Sequence, residues 1–575
     1  MAFQVSPGVQ VKEIDATSVV PAVSTSIGGF AGSFNWGPVE QVVTVGSEKE
    51  LAAEFGSPDD NTFLYFLTAA SFLKYGNALK VVRAASGHKN ATADGTGLLI
   101  KNDDDYVNNS YNTGAGSVGQ WAAKFPGILG NSIKVEMVTA DITDSNFSAW
   151  QYAGNFDGKP GTSDFALNLD KGASFNDEVH VIVIDEDGLI TGNANTVLET
   201  FSFMSIGSDA KANDGTSNYY VDVINAGSKY IRWMDHNTSL LSAGSALSGL
   251  TSLSGTITAV DSDSLSGGTD DNAPTTGELQ TAYGFLEDAE TVDVNLLFAV
   301  PDANNSSTIA NNLIAIANAR KDCMAFVSPP IADTQGSSDP AADVVAWCSG
   351  SDAGHNGVTS SSYASVDSGA LYVYDKYNDV YRYIGAAGHV AGLCANTDSV
   401  ADAWFSPAGV NRGQLLGVTK LAFNPKQGDR NTLYKARVNP IVSLPGQGTI
   451  LFGDKTLLSK PSAFDRINVR RLFTTLEKAI STAAKAQLFE FNDEFTRAQF
   501  KNLVEPFLRD VKGRRGLTDF LVVCDSTNNT SQVVDSNEFV ADIFIKPARS
   551  INFITLNFVA TRTGVEFTEI AGTSA

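Results

Sequence analysis

Residues 293–300 read DVNLLFAV, residues 307–320 read STIANNLIAIANAR and residues 323–327 read CMAFV. The first and third are apolar runs of strand length, and the middle one is an amphipathic helix. Strand, helix and strand in close succession predict an α/β layer. Upstream, residues 24–86 repeat the style. A strand-like stretch at 27–34 leads into the turn Trp36-Gly37-Pro38. A helical run follows at about 62–75, where Phe63, Phe66, Leu67, Ala70 and Leu73 share one face, and LKVVR at 79–83 is the next strand.

Between these blocks the character changes. Residues 87–120 are polar and loop-like. From there to about residue 268, strands alternate with Ser, Thr, Asn, Asp and Gly turns, the clearest being 133–138, 179–184 and 219–224. The run 179–184, the turn Asp185-Glu186-Asp187-Gly188 and the pair Leu189-Ile190 predict a hairpin. Residues 430–465 are strands and turns. The strongest helix comes next, with Phe464 and Asp465 leading in and Leu472, Phe473, Leu476, Ala479, Ile480, Ala483, Leu488 and Phe489 on its apolar side. A second helix spans about 493–509, with Pro506 expected to disturb its last turn. Strands are expected at 519–524, 538–546 and 551–560.

The chain has 575 residues, 43% hydrophobic and 18% charged, enough for several domains with real cores and unlike a disordered chain. Its 64 acidic against 40 basic residues give a net charge of −24, which argues against general nucleic-acid binding. The charge is uneven: residues 440–575 hold 16 basic and 15 acidic residues, the remainder 24 and 49. The first residues lack a secretory pattern, and no apolar run reaches the ~18 residues of a membrane span. The expectation is a chain made in a cytoplasm, soluble, with no direct membrane insertion. Cys323, Cys348, Cys394 and Cys524 are too scattered for a zinc site or disulfide framework and are expected to be free thiols.

Catalytic motifs are weak. Gly114 to Gly119 matches GxGxxG, but a polar loop precedes it where a dinucleotide site needs a strand. There is no GxxxxGK[ST]. Asp103-Asp104-Asp105 and the 185–188 cluster lack the remaining ligands of a calcium loop. His88, His180, His236, His355 and His389 show no metal or triad spacing, so structural roles are expected. No catalytic, cofactor-binding or metal residue is assigned, no cofactor is expected, and the chain is not expected to be an enzyme. More informative are Arg466, Arg470, Arg471, Lys478 and Lys485 on or beside the strongest helix, and Lys512, Arg514 and Arg515 after the second. They make either a solvated face or a docking face for an acidic protein. An alternating stretch stands near each end, Val9, Val11 and Ile14 in the first and Val565, Phe567 and Ile570 in the second. Each is able to pair with a sheet edge on another copy or to fold onto its own domain.

Many longer stretches resemble one family. SPGVQVKEID (6–15), FNWGP (34–38), FLKYGNALKVVRA (72–84) and FPGILGNSIKV (125–135) carry the first half. VSPP (327–330), YDKYNDV (374–380), AGLCANTD (391–398), SPAGVNRGQL (406–415), FDRINVRRLF (464–473) and EFVADIFIKPARSINFITLNFVAT (538–561) carry the second. Together they resemble the contractile tail sheath proteins of myovirus-type bacteriophages, most closely the T-even-like sheaths. The departure is at about 87–120, a short loop where T-even relatives carry a large outer insertion, so no surface role of that insertion is carried over.

The resemblance implies an α+β multidomain chain. An inner α/β-type domain is built from both termini, with β-rich and α/β domains inserted in the middle. The expected segments are an N-terminal arm at 1–23, a middle α/β domain at 24–86 plus 277–439, and an outer β-rich insertion at 87–276. A conserved inner domain at 440–564 and a C-terminal arm at 565–575 complete the chain. It implies a structural subunit whose hexameric rings stack helically around a tail tube protein, joined to baseplate and tail terminator proteins, in a virion assembled in the host cytoplasm. The implied mechanism is contraction on stored conformational energy without ATP, driving the tube through the host envelope for genome ejection. Strand exchange by the arms would place Val9, Val11, Ile14, Val565, Phe567 and Ile570 between subunits. The basic set Arg466, Arg470, Arg471, Lys478 and Lys485 would face the tube. A sheath of a pyocin-like particle or type VI secretion system is the alternative. A surface hydrolase with a β-rich accessory domain fits the composition but no catalytic constellation supports it.

Overall fold

The strand–helix–strand passage lies in a seven-stranded sheet of order Val438–Asn439, Ala364–Asp367, Met324–Val327, Leu296–Phe298, Gly28–Gly32, Leu79–Arg83 and Val42–Val45. The structure, a computed structural model, describes residues 23–552 apart from 86, 115–116, 302–306 and 352–355. Neighbouring strands are parallel except Val42–Val45, which runs antiparallel to Leu79–Arg83. Parallel strands need cover on both faces, which is why these runs are apolar almost throughout and do not alternate. Phe30, Val81, Phe298 and Phe326 pack toward helices Phe63–Leu73 and Ala387–Val400. Ala31, Val82, Leu297 and Ala325 pack toward helices Thr276–Gly284, Thr308–Arg320, Pro340–Ser349 and Gln427–Lys435.

Helix caps follow local chemistry. Thr275 and Glu278 form a capping box before Thr276–Gly284. Asp339 accepts from the Ala342 N–H, with Pro340 as first helical residue. Helix Ala387–Val400 lies so close to its neighbour that a Cβ on Gly388 would stand 2.3 Å from the Thr68 carbonyl oxygen.

Between Arg83 and Thr276 the chain builds a second, antiparallel core. Its four-stranded sheet has the order Thr196–Ser205, Glu178–Asp185, Ile133–Thr139 and Asp261–Ser264, and Trp121–Ala123 pairs with Ile231–Trp233 nearby. Arg83 is wholly buried at the root of this core, donating from Nη1 to the Gly37 carbonyl and from Nη2 to the Pro126 carbonyl, both at 2.8 Å. Burial pushes its pKa down to about 9, with Asp270 working in the opposite direction.

Several expected elements differ here. Residues 219–224 are not a strand. Helix Tyr220–Gly227 buries Tyr220, Val221 and Ile224, the i, i+1, i+4 face, against the insertion core. The return strand of the hairpin is Thr196–Ser205, and Leu189 and Ile190 lie in the connecting loop. Buried Asp185 organises that loop, accepting from the Thr191 N–H and Oγ1 at 2.7 Å each. Asp103, Asp104 and Asp105 form the first turn of helix Asp103–Asn108, behind the Asn102 cap, so the stretch 87–120 is not a plain loop. The three carboxylates answer the positive end of that helix.

The described residues divide into two compact units, 23–488 and 489–552. In the second, helix Glu494–Gly513 is capped by Asp493 and continues through Pro506 for two further turns, whereas the expectation is a helix ending near 509 with its last turn disturbed by Pro506. Pro506 removes one backbone donor, while Phe500, Leu503, Val504, Leu508 and Val511 keep the apolar face buried across the break. In the first unit, helix Ile467–Ala484 stops before Leu488 and Phe489, which are exposed and not part of its apolar face.

Candidate functional site

Helix Ile467–Ala484 has the strongest amphipathic pattern in the sequence, yet its buried side holds Arg470 and Arg471 as well as Leu472, Leu476 and Ala479. A buried guanidinium needs partners. Arg471 finds them in a two-pronged pair with Asp398, Nη1 to Oδ1 at 2.7 Å and Nη2 to Oδ2 at 2.6 Å. It also donates to the Cys394 carbonyl at 3.3 Å and the Thr25 carbonyl at 3.1 Å. Thr25 Oγ1 donates in turn to Asp398 Oδ2 at 2.6 Å. Burial opposes the charge on Arg471, but Asp398 outweighs it and the pKa is raised.

Arg470 lies between two rings, its Cζ 4.1 Å from the Tyr363 centroid and 4.0 Å from that of Phe464. Nη2 donates to Ser362 Oγ at 2.8 Å, and desolvation lowers the pKa. Arg466 pairs with Asp454 at 3.0 Å and bonds the Tyr434 hydroxyl. Lys478, two turns beyond Arg471, pairs with Asp293 and donates to the Ser24 carbonyl at 3.3 Å.

Four of the five expected tube-facing residues are thus engaged within their own chain, and Arg470 and Arg471 are buried. Neither a solvated face nor a free docking face describes them. Lys485 alone of the five is exposed. Arg466, Arg471 and Lys478 pair with Asp454, Asp398 and Asp293, carboxylates that nothing local in the sequence marks as partners. The long helix instead grips residues 24 and 25, where the N-terminal segment joins strand Gly28–Gly32.

Val9, Val11, Ile14, Val565, Phe567 and Ile570 lie outside the described residues, as does His355. In the second unit, strands Leu517–Val523 and Asp542–Pro547 form an antiparallel pair. Among the described residues neither has another partner strand. Leu521 and Phe544 stand opposite each other and are 57% and 59% exposed. Open strand edges are templates for pairing.

The other histidines serve the fold. His180 Nδ1 accepts from the Phe203 N–H at 2.9 Å, at an irregularity in the four-stranded sheet. His236 bonds the Tyr220 hydroxyl at 2.6 Å, and His88 bonds Asn272 at 3.2 Å. All four cysteines are free. Among the described residues no group of three or more His, Cys, Asp or Glu is placed to hold a metal ion. No described helix is long and apolar enough to cross a membrane.

Comparison with known proteins agrees along the whole chain. Three family models match: the Gp18 domain III N-terminal region of tail sheath proteins over residues 25–84, the phage tail sheath protein central domain over 273–457, and the phage tail sheath C-terminal domain over 459–561. The tail sheath proteins of Enterobacteria phage T4 and Vibrio phage KVP40 are each 34% identical, with 99% of this chain and 99% of each relative covered. The fold resembles the sheath tail protein of Listeria innocua, with a TM-score of 0.52 at 13% identity over 92% of this chain and 96% of the other. It also resembles a contracted extracellular injection-system sheath, with a TM-score of 0.51 at 12% identity over 98% and 99%. These matches cover all the described blocks, and the chain belongs to the phage tail sheath protein family, a structural family and not an enzymatic one.

Proposed function

We propose that copies of this chain form six-membered rings that stack helically around a tail tube and contract on conformational energy stored at assembly. The observation that carries this reading is the two-stranded sheet of the C-terminal unit. Its apolar pair Leu521 and Phe544 is exposed, and among the described residues its edges are open. A second copy supplying the alternating stretch around Val9, Val11 and Ile14 or around Val565, Phe567 and Ile570 would extend that sheet by main-chain hydrogen bonds. Such links hold neighbours together while the bodies move. Contraction then buries surface between subunits, drives the tube through the host envelope and lets the genome follow, with no ATP consumed.

The tail tube, a baseplate and a tail terminator are the partners in this reading, within a virion assembled in the host cytoplasm. Tube contact falls to exposed basic residues, Lys485 and, at the end of helix Glu494–Gly513, Lys512, Arg514 and Arg515, since Arg470 and Arg471 are occupied internally. A role in a pyocin-like or type VI device is less favoured, because the 34% identity is to phage sheaths and the injection-system likeness is one of fold. The test is electron microscopy of the purified chain, concentrated without nucleotide or other phage proteins. Hollow tubes of stacked six-membered rings support the reading. If the purified chain forms no tubes alone, the same measurement is made with tube protein and baseplate added, and dispersed monomers even then would overturn it.

A further inference from the structure

We infer that Arg471, Asp398 and Thr25, with Lys478 and Asp293, form a root clamp that sets the direction in which the N-terminal arm leaves the body. The clamp thereby positions the arm for a neighbouring copy. This rests on the arm-exchange reading above and adds residues to it.

Chain segments near a terminus fray unless tied down. Here two successive residues at the base of the arm are tied by one helix. Arg471 takes the Thr25 carbonyl at 3.1 Å and Lys478 takes the Ser24 carbonyl at 3.3 Å. The two basic residues are seven positions apart, so they lie on the same helix face. Each is also neutralised by a carboxylate from a different part of the fold. Asp398 comes from helix Ala387–Val400, and Asp293 from just ahead of strand Leu296–Phe298. Thr25 contributes its carbonyl to Arg471 and its hydroxyl to Asp398. The base of the arm is therefore referenced at once to the long helix, to the helix over the central sheet and to the sheet itself.

Stability alone is a weak reason for this arrangement. Buried ion pairs are often no more stabilising than apolar groups of the same shape, whereas a guanidinium fork fixes geometry. A clamp at the arm's base suits a part that must present a strand to one neighbour at a defined angle. It also keeps any pull on the arm directed into the body while subunits move.

The test compares four full-length variants, Thr25→Val, Lys478→Met, Arg471→Lys and the charge exchange Arg471→Asp/Asp398→Arg, with a chain lacking residues 1–20. Thr25→Val and Lys478→Met are mild, and their folding is checked by circular dichroism and thermal unfolding. Polymer formation is read by sedimentation, alone and after mixing with unaltered chain. The inference expects Thr25→Val and Lys478→Met to melt near the unaltered chain yet need about tenfold more protomer for half-maximal polymer. It also expects them to shorten polymers of the unaltered chain when mixed, because a copy that cannot present its arm can still accept one. An inert unfolded protein would not do that. The charge exchange is expected to recover more polymer than Arg471→Lys. Normal polymer from the clamp variants, alongside none from the shortened chain, overturns the clamp and leaves arm exchange standing. Normal polymer from the shortened chain overturns arm exchange itself.

Discussion

Arg471 and Thr25 are 446 positions apart in the chain, and Arg471 Nη2 donates to the Thr25 carbonyl oxygen at 3.1 Å. The contact joins the helix expected to face a tube with the base of the expected N-terminal arm. It turns a set of charges that looks like a surface into the inside of a joint. Its partner Asp398 is the natural place to probe that joint. Asp398→Ala leaves the guanidinium buried without its carboxylate, and the expected loss is about 3–5 kcal/mol in urea unfolding of the purified monomer. A loss within a few tenths of a kcal/mol would mean that water or another group replaces Asp398.

The histidines predict acid sensitivity. Tyr75 Oη accepts from the Leu416 N–H at 2.6 Å and is hydrogen-bonded to His389 Nδ1 at 3.0 Å. Burial first, and Lys74 second, hold the His389 pKa down to about 3. Burial and Arg83 hold His88 down to about 4. Both rings are neutral in the folded chain and bind protons more readily once unfolded. Stability is therefore full above the unfolded pKa of about 6.5 and falls as pH drops from there toward 4 and 3. Unfolding free energy measured between pH 7 and pH 4 is expected to fall with acid, and His389→Phe should flatten the slope by about one proton. An unchanged slope would show that His389 is already protonated in the fold.

Close packing sets a third expectation. A Cβ on Gly388 would meet the Thr68 carbonyl at 2.3 Å and Ser71 Oγ at 2.4 Å, and backbone cannot step aside cheaply. Gly388→Ala should destabilise by about 1–3 kcal/mol or more. Gly284, at the end of helix Thr276–Gly284, has nothing within 4 Å of its Cβ position. Gly284→Ala should stabilise by about 0.4–1 kcal/mol through the unfolded chain. Thermal melts of the two variants should move in opposite directions.

The root of the β-rich insertion gives a fourth. Arg83 satisfies the Gly37 and Pro126 carbonyls from one guanidinium. Lysine carries a single ammonium on a different stem and cannot reproduce the fork. Arg83→Lys is expected to cost about 1–3 kcal/mol, the penalty of a buried carbonyl left unpaired. Limited proteolysis should then cut first on the two connecting stretches near residues 84–90 and 268–275. Cleavage confined to the loops inside the insertion would contradict a latch at Arg83.

Much of this fold is legible where the apolar pattern is long or bounded. Helix Thr308–Arg320 and strands Leu79–Arg83, Ile133–Thr139 and Glu178–Asp185 follow from periodicity, because burial on one or both faces writes itself into residue type. The run at 219–224 is too short for that rule. A few apolar residues fit a strand or one helical turn, and only packing on the insertion core decides. Pro506 shows the other limit, since a buried face on both sides outweighs one lost hydrogen bond. The basic helix is the instructive failure. Charge on an amphipathic helix normally marks the wet side. Arg470 and Arg471 break that rule because Asp398 and two aromatic rings meet them from far along the chain, and no local spacing announces such partners. The arms are legible only as alternation, which says that a strand can pair but not with what.

The central claim is that one copy completes another's C-terminal sheet. The most direct measurement is a cryo-electron microscopy map of the assembled polymer at side-chain resolution. The account predicts added strands beside Leu517–Val523 and Asp542–Pro547, contributed by adjacent copies and carrying Val9, Val11 and Ile14 or Val565, Phe567 and Ile570. A map in which both stretches fold back on their own chain, or in which that two-stranded sheet gains nothing from a neighbour, would contradict it.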